Sequence, residues 1–146
     1  MREDEGFQVI VPSRPEYVPI LTEFLGSVLR TSPALKDARE SFHSEVELIL
    51  TEACTNAVRH AHGKSAAIPL KVDAWVDGDC LCLEIFDRGP GFELSSPTLP
   101  EDPLAPSGRG LFMIRKLSHE MTYEERGEEN CLCIQKKMGE TDISGP

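Results

Sequence analysis

Two polar side chains stand four residues apart in a segment of helical periodicity. Glu52 and Asn56 project from one face of a helix, because residues i and i+4 lie one above the other. An Asn oxygen is a neutral hard ligand that Mg²⁺ accepts alongside phosphate oxygens, and a nearby carboxylate can take a proton from an attacking hydroxyl. The pair suits metal-assisted phosphate chemistry, although such spacing by itself is more often a solvated helix face.

A carboxylate and two glycines follow directly on an apolar run that ends at Phe86. They are Asp87, Gly89 and Gly91. The carboxylate can accept a hydrogen bond from an exocyclic amine such as that of adenine, and the glycines allow a ligand to approach the backbone. Taken alone, a glycine-rich turn after a strand is the favoured interpretation.

A third motif, Gly108-Arg109-Gly110-Leu111, opens a short helix. Its unpaired backbone N–H groups and the positive end of the helix dipole are available to phosphate oxygens. A loop-to-helix junction with flexible glycines is the alternative. Arg109 is either a contact for a γ-phosphate or a solvated residue at the helix start. For His60, an ordinary polar or core-edge position is favoured over a contact with the site.

The periodicity of apolar residues predicts the elements that position these motifs. Period-two alternation predicts strands, period 3.6 predicts helices, and Asp77-Gly78 is a tight-turn signal for a hairpin. Gly63 is the expected cap of the second helix, and a long mobile loop is expected at 89–107. The predicted strands are 7–11, 69–76, 80–87, 121–125 and 131–137; the predicted helices are 15–30, 41–61 and 108–117.

The composition is that of an ordinary soluble domain. The chain has 146 residues, 40% of them apolar and 27% charged, and we expect one domain at 1–138 with a frayed tail at 139–146. No apolar run reaches the roughly 18 residues of a membrane span, and the acidic first residues do not form a secretory signal, so a cytoplasmic location is expected. A net charge of −10 has the wrong sign for a broad nucleic-acid surface and favours a basic protein partner.

Four of the five cysteines form two Cys-x-Cys pairs, Cys80/Cys82 and Cys131/Cys133. This is not the Cys-x-x-Cys spacing of a typical zinc knuckle. Reduced thiols on strands are therefore the favoured interpretation, and metal binding is the alternative.

The order of the three motifs resembles the GHKL ATPase superfamily, whose N, G1 and G2 boxes have this form. The short length and the residues around Asn56 and Gly110 are similar to the anti-sigma-factor serine/threonine kinases. The resemblance implies an α/β (α+β) Bergerat ATP-binding fold: a two-layer sandwich of a mixed, mostly antiparallel sheet with helices on one face. It also implies ATP and Mg²⁺ as cofactors, a sigma factor and an anti-anti-sigma (STAS-type) protein as partners, and a homodimer.

The resemblance implies a role for each motif residue. Asn56 would hold Mg²⁺, Glu52 would be the catalytic base, and Asp87 would bind the adenine amino group. The remaining positions would shape the adenine edge (Gly89 and Gly91) and cradle the phosphates (Gly108, Arg109, Gly110 and Leu111). One departure concerns a Gly-Thr pair that family members often carry near the adenine. The matching stretch here is Asn130-Cys131, so a hydroxyl that could support the base is expected to be missing.

Two functions are compatible with these residues. One is a kinase that phosphorylates an antagonist protein and sequesters a sigma factor. The other is a nucleotide-gated binding module in which no phosphate is transferred. Glu52 favours the kinase, because pure binding does not need a base at that position.

Strand parity predicts a second surface. If Asp87 points toward the pocket, alternation places Leu81, Leu83 and Ile85 inside. The outer face then carries Trp75, Phe86 and the four strand cysteines, which makes it a candidate homodimer interface. A surface shielded by neighbouring polar side chains is the alternative (Lys71, Asp73, Glu84 and Gln135).

Overall fold

The computed structural model describes residues 6–60, 69–87 and 109–139. The helices are α1 (Val18–Thr31), preceded by a single 3₁₀ turn at Pro15–Tyr17, α2 (Glu40–His60) and α3 (Arg109–Leu117). The strands are β1 (Gly6–Val11), β2 (Leu70–Asp77), β3 (Cys80–Asp87), β4 (Glu120–Arg126) and β5 (Glu129–Lys137). No helix in these ranges combines the length and hydropathy needed to cross a bilayer.

Every predicted helix and strand is present. Most ends differ by one or two residues, and the first helix begins with its 3₁₀ turn where Pro15 fixes the backbone. The predicted cap at Gly63, the loop at 89–107 and tail residues 140–146 lie outside the described residues. The single-domain boundary at 138 stays a prediction.

The five strands form one sheet in the order β1-β2-β3-β5-β4. All four pairings are antiparallel, so within the described strands the sheet is not the mixed sheet that was predicted. The predicted two-layer α/β fold is confirmed. The β2–β3 hairpin turns at Gly78, whose φ is 68°. Glycine adopts this left-handed conformation without strain, because it has no Cβ atom. Residue Asp87 at the end of β3 lies opposite Asn130 at the start of β5.

The core lies between the sheet and one layer of helices. Alternate residues of the central strands face this layer, as strand parity predicted for Leu81, Leu83 and Ile85. The middle of α2 meets them with Ile49 and Leu50, both fully buried. Burying side chains of this size contributes about 1.5–3 kcal/mol each before entropy is counted, so α2 is held firmly over the centre of the sheet.

Helices α1 and α2 approach closely at Gly26. A Cβ atom at that position would lie 2.6 Å from Glu47 Oε2, so only glycine fits without a shift of the carboxylate. Arg30 Nη2 donates to the same Glu47 carboxylate at 3.3 Å. The contact fixes α1 against the N-terminal half of α2.

A buried lysine joins β5 to the two helices that carry motifs. Lys136 is 7% exposed, and its Nζ donates to Glu45 Oε1 on α2 and to the carbonyl oxygen of Leu117, each at 2.7 Å. Leu117 is the last residue of α3, where a positive charge opposes the negative end of the helix dipole. Lys136 thus fixes the C-terminal end of α3 relative to α2.

Candidate nucleotide-binding site

The first and third motifs meet where the start of α3 packs on α2. A Cβ atom at Gly110 would lie 2.8 Å from Glu52 Oε1 and 3.2 Å from Asn56 Nδ2. Gly110 is buried and is the second residue of α3. The absence of a side chain therefore lets the backbone at the helix start approach both polar groups of α2.

The position of α3 follows from its own apolar face. Ile114 is fully buried and Leu111 is 9% exposed, so both anchor the first two turns of the helix in the core. The first N–H groups of an α-helix have no intrahelical partner. They lie beside Glu52 and Asn56 at the positive end of the helix dipole. This is a place where anionic oxygens bind favourably.

Asn56 carries an unsatisfied polar atom. Its Nδ2 is buried and has no hydrogen-bond partner among the residues that the structure describes, whereas buried amide groups are normally paired. A bound group with oxygen atoms would satisfy it, and the side-chain oxygen at the other end of the amide is a ligand type that Mg²⁺ accepts. The Asn and Glu pair therefore fits a magnesium–phosphate group.

The second motif residue, Asp87, lies at the end of β3 and is 7% exposed. Its Oδ1 accepts a hydrogen bond from Asn130 Nδ2 at 3.1 Å, and its Oδ2 accepts one from the Tyr123 hydroxyl at 3.3 Å. These donors hold the carboxylate in a fixed orientation. A carboxylate has about four acceptor positions and is a group that can accept a hydrogen bond from a ligand amine.

The Tyr123 hydroxyl stays protonated in this setting. Burial raises the pKa of the phenol well above its ordinary value, and the negative charge of Asp87 raises it further. The hydroxyl can therefore act as a donor to Asp87 throughout the physiological pH range.

The stretch that matches the family's Gly-Thr pair has no hydroxyl, as expected, but a hydroxyl from another strand contacts Asp87. Asn130 occupies the position opposite Asp87, as matching the motif suggested, but Cys131 belongs to the other face of the sheet, where its Sγ lies 3.5 Å from that of Cys133. The hydroxyl comes from Tyr123 on β4. Tyr123 pairs with Leu132, a core residue, so the register of the last hairpin was the signal that could have identified it.

Several predicted positions fall outside the described residues. Gly89, Gly91 and Gly108 are among them. Arg109 begins α3 and His60 ends α2, and the alternatives for their side chains stay predictions. The described part of the site thus comprises the Glu52–Asn56–Gly110 contact, the adjacent Leu111, and the Asp87 carboxylate, to which Asn130 and Tyr123 donate.

The arrangement offers different chemistry to the two ends of a ligand. The start of α3 presents N–H groups, an amide and a carboxylate, which suit phosphate oxygens and a proton transfer. The end of β3 presents an oriented carboxylate, which suits an amino group. The fold and the site define a nucleotide-binding ATPase domain of the kind seen in histidine kinases. Residues 11–136 match the histidine kinase-like ATPase domain family, and the chain belongs to that family.

Within this family, the chain is similar to proteins named serine-protein kinases. The chain is 29% identical over 126 residues to the serine-protein kinase RsbW of Oceanobacillus iheyensis, covering 80% of this chain and 77% of the relative. It is 28% identical over 120 residues to the serine-protein kinase RsbW of Bacillus subtilis, covering 76% and 72%. The resemblance predicted from the three motifs is confirmed by the family match and by these relatives.

Two solved structures have the same fold. One is the SiaB–SiaC complex of Pseudomonas aeruginosa, with a TM-score of 0.61 at 16% identity over 88% of this chain and 88% of that chain. The other contains the RsbU and RsbW domains of a Mycobacterium tuberculosis protein, also with a TM-score of 0.61 at 16% identity. In that case the match covers 91% of this chain and 32% of the longer chain. At this identity the likeness concerns the fold.

Proposed function

We propose that this protein is an ATP-dependent serine/threonine protein kinase of a partner switch. It would phosphorylate an anti-anti-sigma protein of the STAS type and sequester a sigma factor. The observation that supports this most directly is the close approach of Gly110 to Glu52 and Asn56. The carboxylate, the amide and the helix N-terminus surround one small volume, and this arrangement supports phosphoryl transfer to a hydroxyl.

In this proposal each end of ATP has its own residues. Asp87, oriented by Asn130 and Tyr123, accepts a hydrogen bond from the adenine amino group. Gly89 and Gly91 border the base, by analogy with the family. The phosphates lie at the start of α3, on the backbone of Gly108, Arg109, Gly110 and Leu111.

Asn56 would hold Mg²⁺ through its side-chain oxygen. When bound, Mg²⁺ neutralises charge on the phosphate oxygens and orients them. Glu52 faces the same helix start, since its Oε1 would lie 2.8 Å from a Cβ atom at Gly110. It accepts the proton of the substrate hydroxyl as the hydroxyl oxygen bonds to the γ-phosphorus, and ADP leaves with the electron pair of the broken phosphoanhydride bond.

The partners are proposed from the relatives and from charge. RsbW relatives are named serine-protein kinases, and the family resemblance supplies the sigma factor and the STAS-type antagonist. The net charge of −10 suits a basic protein partner. We also propose a cytoplasmic location and a homodimer through the outer sheet face, centred on the partly exposed Trp75; Phe86 on the same face is 8% exposed and lies beneath Lys71.

Phosphate transfer from labelled ATP to the candidate antagonist tests the proposal. Wild-type protein should label the antagonist in the presence of Mg²⁺. The Glu52→Gln variant should bind ATP with nearly unchanged affinity and lose most of the transfer, because a base acts mainly in the transition state. If wild-type protein binds ATP tightly and transfers nothing to any candidate, the nucleotide-gated module is correct and the kinase assignment is wrong.

A further inference from the structure

Three possible metal ligands converge on the outer face of the sheet, away from the nucleotide site. Cys131 and Cys133 are two residues apart on β5, and Glu84 lies on β3 directly opposite Cys133. The two sulfur atoms are 3.5 Å apart, and Cys133 Sγ is 3.9 Å from Glu84 Oε2. All three ligand atoms lie within 4.8 Å of one another. We call these three residues the thiol cluster.

These separations are close to those of a tetrahedral zinc site. With Zn–S bonds of about 2.3 Å and Zn–O bonds of about 2.0 Å, tetrahedral angles place two sulfur ligands about 3.8 Å apart and a sulfur and an oxygen about 3.5 Å apart. The measured 3.5 Å and 3.9 Å differ from these values by a few tenths of an ångström. The third pair, Cys131 and Glu84, lies within 4.8 Å, so closing the site requires side-chain rotation that brings these two ligand atoms to about 3.5 Å.

Two carboxylates beside the thiols, Glu84 and Glu124, favour a cation at the thiol cluster, and the Arg126 guanidinium occupies that position in this structure. Arg126 Nη2 lies 3.1 Å from Glu84 Oε2 and 3.4 Å from Cys133 Sγ, so a guanidinium already contacts two of the three ligands. Its side chain is 39% exposed and also pairs with Glu124 at 3.2 Å. Because its side chain is partly exposed, Arg126 can rotate toward solvent and leave Glu84, Cys133 and Glu124 to a metal ion.

We propose that Glu84, Cys131 and Cys133 form a binding site for a thiophilic divalent cation of the Zn²⁺ type. Binding forms two metal–sulfur bonds and one metal–oxygen bond, and the two thiol protons are released to solvent. A water molecule completes the tetrahedron, or Glu124 does, since its Oε2 lies 3.6 Å from Cys133 Sγ. Sulfur ligands exclude Mg²⁺ and Ca²⁺ as natural occupants.

The site is distinct from the magnesium position proposed for Asn56. It joins β3 to β5 on the outer face of the sheet. Asp87 and Asn130 belong to the same two strands but face the other side. A metal bridge between two paired strands stabilises the folded chain by binding it in preference to the unfolded chain. Zinc should therefore raise the thermal unfolding temperature of the reduced protein.

Titration of the fully reduced protein with Co²⁺, a spectroscopic substitute for Zn²⁺, tests the site. We expect an intense thiolate-to-cobalt charge-transfer absorption that saturates at one equivalent per chain and disappears when Zn²⁺ is added. Cys133→Ser should abolish it, and Glu84→Gln should weaken Co²⁺ binding at least several-fold. Cys80→Ser is the matched control, because Cys80 lies on the same face of β3 but outside the thiol cluster, and it should leave the spectrum unchanged.

Other outcomes would overturn the proposal. These are the absence of a charge-transfer band at stoichiometric Co²⁺, a band that survives in Cys133→Ser, and a band lost in Cys80→Ser. Circular dichroism should show that each variant is folded. If Cys133→Ser is not folded, Glu84→Gln decides, and Co²⁺ affinity in that variant equal to that of the wild type would refute the site.

Discussion

The contact at Gly110 predicts that one added methyl group lowers the rate of phosphoryl transfer without lowering the stability of the fold. In Gly110→Ala the new Cβ would lie 2.8 Å from Glu52 Oε1. Ordinary van der Waals contact begins near 3.4 Å, so the carboxylate must move by about 0.6 Å, the difference between the two distances. A misplacement of about 1 Å in a reacting group can cost about a hundredfold in rate. We therefore expect kcat for phosphoryl transfer to fall by about tenfold.

The same substitution should not weaken the fold. Alanine is favoured over glycine within helices by up to about 1 kcal/mol, and the end of the Glu52 side chain can rotate. Asn56 Nδ2 would be 3.2 Å from the new Cβ and needs to move only slightly. The expected pattern is a reduced kcat, a smaller loss of ATP affinity, and an unfolding temperature equal to or above that of the wild type.

Gly26→Ala is the matched control. It also adds a methyl group to a helix against a carboxylate of α2, since its Cβ would lie 2.6 Å from Glu47 Oε2, but it does so away from Glu52. Initial rates of antagonist phosphorylation, calorimetry with ATP and thermal unfolding should be measured for both variants. Unchanged kcat in Gly110→Ala, or an equal loss in Gly26→Ala, would refute the reasoning from close approach.

Three further predictions concern single side chains. Asp87→Asn should weaken ATP binding at least several-fold in calorimetry, because the amide presents a donor where the carboxylate accepts; unchanged affinity would remove Asp87 from the site. Tyr123→Phe should weaken ATP binding less than Asp87→Asn does, because it removes a donor to Asp87 and leaves the carboxylate itself and its bond from Asn130 in place; affinity equal to wild type would show that the Tyr123 hydroxyl is not needed to orient the carboxylate. Trp75→Glu should shift a dimer toward monomer in analytical ultracentrifugation, and a wild-type protein that is monomeric at high micromolar concentration would exclude this interface.

Much of the fold could be predicted because local periodicity is strong. The alternation of Leu81, Leu83 and Ile85 with polar or outer residues fixed both the strand and its inner face, and the parity prediction is confirmed by the core. The helices followed from apolar spacing in the same way. The family resemblance led us to expect a mixed sheet, and the described pairings are all antiparallel. Strand order and direction are non-local properties that periodicity does not determine.

The candidate site was predictable only where residues of one motif act together. Glu52 and Asn56 share a helix, so their spacing sufficed. Tyr123 and Lys136 were missed, because their roles depend on partners 36 residues away at Asp87 and 91 residues away at Glu45. A tyrosine or a lysine in a strand has no local signature that distinguishes it from an ordinary surface residue.

The thiol cluster could not be predicted from the sequence either. Cys-x-Cys spacing argued against a typical zinc knuckle, which has Cys-x-x-Cys spacing. The third ligand, Glu84, comes from the neighbouring strand, and only the register Glu84↔Cys133 brings it there.

Because side chains alternate along a strand, the register that sets Glu84 beside Cys133 on the outer face also sets Asp87 beside Asn130 on the inner face. A one-residue slip of β5 against β3 would therefore destroy both arrangements together, and the pairing of these two strands is the structural feature on which the adenine end of the site and the thiol cluster both depend.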